Sequence, residues 1–215
     1  MMNSKKTLIL LSLAILGLSF TLGVLLYKKS QKEEIKTTTQ NNADVLVRDY
    51  SVKLGATNPQ VVLVEFLDPE CESCREFYPM VKMLMNEFEG KIQLVVRYAP
   101  FHPNAGMMVK ILEAARLQNK YWEVLEVLFR YQPQWGGHHN PRPELVWTYL
   151  PETGVNIEQI KGDMNSPEIQ KILEQDMADV KTLGIRYTPS FYVNGKPLED
   201  FGFEPLKAMI QSELQ

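Results

Sequence analysis

The feature that most constrains this 215-residue chain is the spacing of its two cysteines, Cys71 and Cys74, with two residues between them. An apolar, β-branched run at 61–67 precedes the pair and predicts a strand, whereas apolar side chains every three or four positions over 75–84 predict a helix. The cysteines therefore lie at a strand-to-helix junction. Because the unpaired N–H groups and the dipole of a helix N-terminus favour an anion, the first cysteine is the expected nucleophile and the second the resolving thiol.

A zinc site is the first alternative for a cysteine pair. Tetrahedral zinc needs four ligands, and the remaining candidates are His102, His138 and His139. The two adjacent histidines fit a solvated turn, whereas His102 fits either the active-site side of the sheet or the start of a helix capped by Asn104. We therefore expect no metal ligands here. Two unremarkable buried thiols are the second alternative, although apolar burial usually places cysteines singly.

Four features around the cysteines occur in order: Leu54-Gly55, the strand at 62–66, Asp68 and the Cys-x-x-Cys motif. This order resembles the N-terminal motif of the DsbA-like branch of the thioredoxin superfamily. Pro79 matches the proline in the first helix of many thioredoxin folds. The resemblance implies a thiol:disulfide oxidoreductase with a redox-active disulfide between the two cysteines and no bound cofactor.

The resemblance extends to the C-terminal part of the chain, where Thr188-Pro189 precedes a strand and hairpin ending near Pro197. This segment is similar to the cis-proline loop of the family. Proline has no N–H to donate to a neighbouring strand. A cis peptide there would place the Thr188 backbone beside the cysteines, free to pair with an extended substrate. The resemblance therefore implies that Thr188 and Pro189 bind the substrate.

Glu65 is the single polar residue in the strand that precedes the cysteines. It lies six residues before Cys71, and burial at this position would raise its pKa. A buried carboxyl there can exchange a proton with Cys74, and we interpret Glu65 as a catalytic residue. The alternative is a carboxylate that faces solvent on an edge strand.

The dipeptide Glu72-Ser73 departs from the family pattern, since strongly oxidising members typically carry Pro-His at these positions. Together with Glu70, Glu72 places negative charge on both sides of Cys71 and opposes the helix dipole. We therefore expect Glu72 and Ser73 to tune the redox pair and to make it a weaker oxidant than those members.

The remaining elements indicate an α/β fold. Residues 92–98 predict a second central strand, and no further strand is indicated until Ser190. Helices are expected between them, at 104–118, 120–131, 144–150 and 167–183, with turns at 133–143, 151–154 and 162–166. The sequence thus predicts a thioredoxin fold with a helical insertion at about 102–184, which is also the arrangement of the DsbA-like family.

The N-terminal segment predicts a transmembrane signal anchor. After a short tail at 1–6, the uncharged and largely apolar stretch 7–27 is long enough, at about 1.5 Å per residue, to cross the roughly 30 Å hydrocarbon core of a bilayer. A cleavable signal peptide, with a weak cleavage site near Gly23, is the alternative. Residues 28–45 predict a polar linker to a single DsbA-like domain at 46–215.

These observations predict a membrane-anchored enzyme that exchanges disulfides with exported proteins and is recycled by a membrane or soluble redox partner. Its catalytic domain should face the periplasm or the cell exterior, because disulfides persist outside the reducing cytosol. A disulfide-forming oxidase is the favoured direction, and the alternatives are a reductase or isomerase, or a non-catalytic copper(I) chaperone. The net charge of −3 and the lack of basic clusters beyond the membrane flanks give no support for nucleic-acid binding.

Overall fold

One mixed sheet forms the centre of the fold. The computed structural model describes residues 16–27, 29, 43–137 and 140–215. The strands lie in the order β1-β3-β2-β4-β5, so β2 is central, parallel to β3 and antiparallel to β4. β1 and β5 add antiparallel edges. The strand bounds are β1 Val52–Gly55, β2 Val61–Leu67, β3 Ile92–Tyr98, β4 Ser190–Val193 and β5 Lys196–Pro197.

Helices cover both faces of this sheet. In chain order the described helices are α1 (16–27), which lies outside the core clusters, α2 (Ala43–Leu46), α3 (Glu72–Glu87), α4 (Ala105–Arg116), α5 (Tyr121–Trp135), α6 (Val146–Tyr149), α7 (Ile157–Asp163), α8 (Pro167–Leu183) and α9 (Phe203–Glu213). Short 3-10 turns flank α6 at Pro143–Leu145 and Leu150–Thr153. Helices α4 to α8 all lie between β3 and β4. This arrangement confirms the predicted thioredoxin fold with a helical insertion.

The alternation of side chains along β2 divides the core in two. Leu63 and Leu67 join α3, α4, α5 and α9 in the larger apolar cluster, whereas Val64 and Phe66 join α2 and α8 in the smaller one. Because successive side chains of a strand point to opposite faces, Glu65 belongs to the face covered by α3. The helix that carries the cysteines therefore packs over the strand that carries this acid.

The helical insertion departs from the sequence prediction in two places. Helix α5 continues through Pro133 to Trp135, where a turn was expected. Trp135 is fully buried and its indole N–H donates to the carbonyl of Leu128 at 2.9 Å, so its burial offsets the backbone hydrogen bond lost at the proline. Helix α7 was not predicted, and its start is capped by Asn156, whose side chain accepts from the N–H of Gln159.

Gly55 shows why the Leu-Gly pair occurs at the end of β1. Its φ of +100° disfavours any residue with a Cβ. A Cβ at this position would lie 2.6 Å from the carbonyl oxygen of Ile92 and from the Cε of Met85. The glycine therefore permits the close approach of β1 to the start of β3.

A buried ion network fastens the chain that precedes β1 to the sheet. Arg97 of β3 is fully buried, and its guanidinium lies 2.6 Å from a carboxylate oxygen of each of two α8 residues, Asp176 and Asp179. The same guanidinium donates to the carbonyl oxygens of Val45 and Leu46. Because a buried charge is tolerated when it is paired and hydrogen-bonded, these contacts hold α2, β3 and α8 together.

The N-terminal region is described in part. Residues 16–27 are helical and their side chains are exposed. The first part of the predicted anchor, 7–15, lies outside the described residues, as do residues 28 and 30–42 of the predicted linker. Within the described ranges, none of the helices combines the length and the apolar character needed to cross a membrane.

Candidate active site

The two cysteines occupy the start of α3. Cys71 is the N-cap residue with extended backbone angles, φ −73° and ψ 123°, and Cys74 lies within the first turn. Both are free thiols. Cys71 keeps 7% of its surface exposed, whereas Cys74 is fully buried. A substrate would therefore reach Cys71 first, with Cys74 behind it.

The two thiols differ in acidity. A hydrogen bond from the Cys74 side chain is the largest cause that lowers the pKa of Cys71 to about 5. Burial opposes this effect, while the Thr188 side chain and the backbone N–H groups of Cys74 and Ser73 add to it. Burial is the main cause that raises the pKa of Cys74, and Cys71 and Glu65 add to it. At neutral pH the pair therefore consists of a thiolate nucleophile and a protonated resolving thiol.

The loop before β4 lies against the nucleophile. The Thr188–Pro189 peptide bond is cis. The carbonyl oxygen of Thr188 lies 3.3 Å from the Sγ of Cys71. Strand β4 begins at Ser190, which pairs with Phe66 at the end of β2. The sheet thus brings the two sequence-predicted substrate-binding residues to the cysteine pair.

Glu65 lies beneath the cysteines on the central strand. It pairs with Val96 of β3 on one side and Phe191 of β4 on the other, and only 2% of its surface is exposed. Its Oε1 atom is buried with no hydrogen-bond partner among the described residues. Burial raises the pKa of Glu65 to about 8, and its charge acts on Cys74. The edge-strand alternative is wrong, and the carboxyl is placed to hold a proton near Cys74.

The acidic residues around Cys71 have different surroundings. Glu72 and Ser73 are exposed on the first turn of α3. The carboxylate of Glu70 is buried and accepts hydrogen bonds from the backbone N–H of Asn104 at 2.7 Å and from its side-chain amide at 2.8 Å. Asn104 stands at the N-cap of α4, but its own side chain makes no capping bond. The charge of Glu70 is therefore engaged at the start of α4, where it complements the helix dipole.

Sequence reasoning missed a second set of contacts, centred on Asp68. This fully buried carboxylate accepts from the backbone N–H groups of Glu70, Phe101 and His102, and from the Nδ1 atom of the His102 ring. One side chain thus joins the loop that carries the cysteines to the loop that follows β3. The position of Asp68 in the family motif was the available signal, although nothing in the sequence indicated its partners.

Gln132 connects the helical insertion to the same loop. Its side-chain amide donates to the carbonyl oxygens of Pro69 at 2.9 Å and of Cys71 at 3.0 Å. The side chain is buried in α5, 61 positions from Cys71 in sequence. These bonds hold the backbone on both sides of Glu70, and no periodic sequence signal marks them.

Three exposed aromatic side chains lie on segments that adjoin the site residues or α3. Phe101 follows β3, Tyr187 precedes the cis peptide, and Phe201 precedes α9. Each is more than 40% exposed, and the ring of Phe201 packs on that of Phe77 in α3 at 4.5 Å. Such side chains provide apolar surface for a partly unfolded protein chain.

A family comparison agrees with this geometry. A family model described as thioredoxin matches residues 48–212, which include every strand and all helices from α3 to α8. The chain belongs to the thioredoxin family. In this thioredoxin-family protein, the matched region contains the cysteine pair, Glu65 and the cis-proline loop.

The chain is also similar to individual proteins. The chain is 31% identical over 144 residues to the Na(+)/H(+) antiporter NhaA of Herminiimonas arsenicoxydans, covering 67% of this chain and 22% of that protein. It spans about a fifth of the length of the curated relatives it matches. Among solved structures, a thioredoxin-like oxidoreductase from Silicibacter pomeroyi is 28% identical with a TM-score of 0.69, covering 80% of this chain and 96% of that one.

A second solved structure, the thiol-disulfide exchange protein alpha-DsbA2 from Wolbachia pipientis, has the same fold. The TM-score is 0.70 at 19% identity, covering 85% of this chain and 97% of that one. At this identity the likeness to the Wolbachia structure shows the shared fold.

The histidines considered as metal ligands divide into two groups. His102 lies beside Asp68, whereas His138 and His139 fall outside the described residues. Over the described ranges, no group of three or more histidine, cysteine or acidic side chains is arranged to hold a metal ion. The chemistry that these residues can perform is thiol exchange, with an ionised nucleophile, a protonated second thiol and a buried acid.

Proposed function

We propose that this protein is a membrane-anchored oxidase that introduces disulfides into exported proteins. The observation that carries the proposal is the position of Cys71 at the helix N-terminus, with its pKa lowered to about 5. A stabilised thiolate stabilises the reduced pair, and a protein whose reduced form is stable is a stronger oxidant. Oxidation of substrates is therefore favoured over a reductase or isomerase role.

The oxidation proceeds by two exchange steps. A substrate thiolate attacks Sγ of Cys71, a mixed disulfide forms, and the Cys71–Cys74 bond breaks. Cys74 leaves as a thiolate and takes a proton from the buried carboxyl of Glu65. A second substrate thiolate then attacks the substrate sulfur of the mixed disulfide, which completes the substrate disulfide and releases Cys71 as a thiolate. Two electrons pass from the substrate to the cysteine pair.

Substrate binding is assigned to Thr188 and Pro189. The Thr188 carbonyl lies 3.3 Å from the nucleophilic sulfur, so an extended substrate paired with this backbone would bring its own sulfur to Cys71. The exposed aromatic rings of Phe101, Tyr187 and Phe201 add apolar contacts that do not depend on sequence. This combination suits many unfolded exported chains rather than one specific partner.

No bound cofactor is needed in this cycle. A membrane or soluble redox partner that carries a disulfide accepts the two electrons by the same exchange in reverse, with Cys71 attacking and Cys74 resolving. We place the enzyme on the outer side of the cell membrane, held by residues 7–27 and facing the periplasm or cell exterior. The length and apolar character of that stretch support the anchor, and the redox chemistry supports the compartment.

Oxidative refolding tests the direction of the reaction. The oxidised protein is mixed with reduced, unfolded ribonuclease A. Ribonuclease activity should return faster than with glutathione disulfide alone. The Cys71→Ala variant is the matched control and should be inactive. Rapid reduction of insulin without any gain in refolding would instead support the reductase alternative. Stoichiometric copper(I) binding without disulfide exchange would support the metal chaperone.

A further inference from the structure

The His102 ring is held by a buried carboxylate beside the redox pair. Its Nδ1 atom lies 2.8 Å from Oδ2 of Asp68, and the same oxygen accepts the backbone N–H of His102 at 3.0 Å. The side chain of Asp68 is fully buried, while that of His102 is 29% exposed. An imidazole fixed in this way has one nitrogen committed to the carboxylate, while solvent reaches the ring and can deliver a proton.

Asp68 also ties this ring to the nucleophile. The backbone N–H of Cys71 donates to the carbonyl oxygen of Asp68 at 3.1 Å. The position of His102 and the position of Cys71 are thus both set by one residue. The charged groups that act on the ring come from the β2–α3 loop and the start of α3, namely the carboxylates of Asp68 and Glu70 and the thiolate of Cys71.

These charges determine the protonation of the ring. Burial disfavours the imidazolium, but the hydrogen bond to Asp68 and the charges of Asp68, Cys71 and Glu70 outweigh it and raise the pKa of His102. The contribution of Cys71 exists only when that sulfur is a thiolate. In the oxidised protein the sulfur is part of a neutral disulfide, so this contribution is absent.

We propose that His102 couples proton uptake to reduction of the Cys71–Cys74 disulfide. In its imidazolium form it stabilises the thiolate of the reduced protein, so the disulfide is a stronger oxidant in mildly acidic surroundings. The inference rests on the proposed redox function. It adds a pH dependence of the oxidising strength that arises from a residue outside the Cys-x-x-Cys motif. In this role His102 acts through its charge on the thiolate of Cys71.

Thermodynamic linkage makes the coupling reciprocal. If a protonated His102 favours the Cys71 thiolate by a given factor, the thiolate must favour protonation of His102 by the same factor. For opposite charges at a partly exposed site we expect a factor of roughly three to ten. The effect should be present below the pKa of His102 and should disappear as the pH rises through it, because the neutral ring no longer attracts the thiolate.

The first measurement needs no mutation at the site. The His102 ring is titrated by NMR in the fully reduced and the fully oxidised protein, in a His138→Asn/His139→Asn background that leaves one histidine signal. The reduced protein should hold the proton roughly three to ten times more tightly. Identical titration curves in the two redox states overturn the proposal, whatever the outcome of any mutant.

The second measurement compares the wild type with His102→Gln in the glutathione equilibrium. At about pH 6 the wild type should be more oxidising by roughly threefold to tenfold in equilibrium constant, and the two proteins should converge at about pH 8.5. A ratio that stays constant over this range indicates a merely structural role and overturns the inference. In that case the proposed oxidase function stands. A wild-type cysteine pair that does not exchange with glutathione at all would reject both the inference and the oxidase function.

Discussion

Replacement of Glu65 by glutamine should change the stability of the reduced protein in a strongly pH-dependent way. In the unfolded chain this carboxyl ionises near its ordinary pKa of 4.5, whereas burial raises the pKa in the folded chain to about 8. Between these values the unfolded state loses a proton that the folded state keeps. The wild type is therefore destabilised progressively as the pH rises from about 4.5 to about 8.

The size of the effect follows from the same two values. At 1.36 kcal/mol per pH unit, the gap between 4.5 and about 8 corresponds to about 5 kcal/mol in the free energy of unfolding. The glutamine variant does not ionise, so its stability relative to the wild type should increase by about this amount between pH 4.5 and 8. Any constant cost of burying the amide shifts the whole curve without changing its slope.

Urea denaturation of both reduced proteins across this pH range provides the measurement. The same substitution at the exposed Glu89 is the matched control, and it should change the free energy of unfolding by a few tenths of a kcal/mol at every pH. A stability difference between wild type and Glu65→Gln that does not vary with pH would refute the reasoning. It would mean that Glu65 is not a buried acid that stays protonated beneath the cysteines.

Three further predictions concern the redox pair and the ion network. The Cys74→Ala variant should accumulate mixed disulfides through Cys71, detected by mass spectrometry, and adducts through Cys74 in a Cys71→Ala variant would reverse the assignment. Replacement of Glu72-Ser73 by Pro-His should make the protein more oxidising by roughly tens of millivolts in a glutathione equilibrium, and an unchanged or more reducing potential would contradict the charge argument. Arg97→Met should lower the free energy of unfolding by about 3–5 kcal/mol in urea, because the buried Asp176 loses its ion-pair partner and the buried Asp179 keeps only Arg48, and a change below about 1 kcal/mol would contradict this.

The two central strands, β2 and β3, and the longest of the described helices were predictable because their signals are local. The apolar runs at 61–67 and 92–98 give β2 and β3 with the observed bounds. Helix α8 was predicted at its observed bounds, Pro167–Leu183, between a capping serine at Ser166 and a left-handed glycine at Gly184. In each case, neighbouring residues determine both the element and its end.

The contacts that build the site were less predictable because they join distant parts of the chain. Glu65 was identified from its isolation in an apolar strand, and that isolation reflects its buried position. The Asp68–His102 and Glu70–Asn104 pairs each span 34 positions, and no periodic pattern marks such a pair. The extension of α5 beyond Pro133 also has no local signal, since Trp135 packs in a core cluster whose other members come from distant parts of the chain.

The contacts of Arg97 also bear on where the folding unit begins. The thioredoxin family match starts at residue 48, but the buried guanidinium takes two of its acceptors from the carbonyls of Val45 and Leu46. A fragment cut at the family boundary would keep every described strand and both cysteines, yet it would remove two hydrogen-bond acceptors and part of the cover of a buried cation. These contacts make α2 part of the packed domain, so an N-terminal truncation that preserves the Arg97 network should begin no later than Ala43.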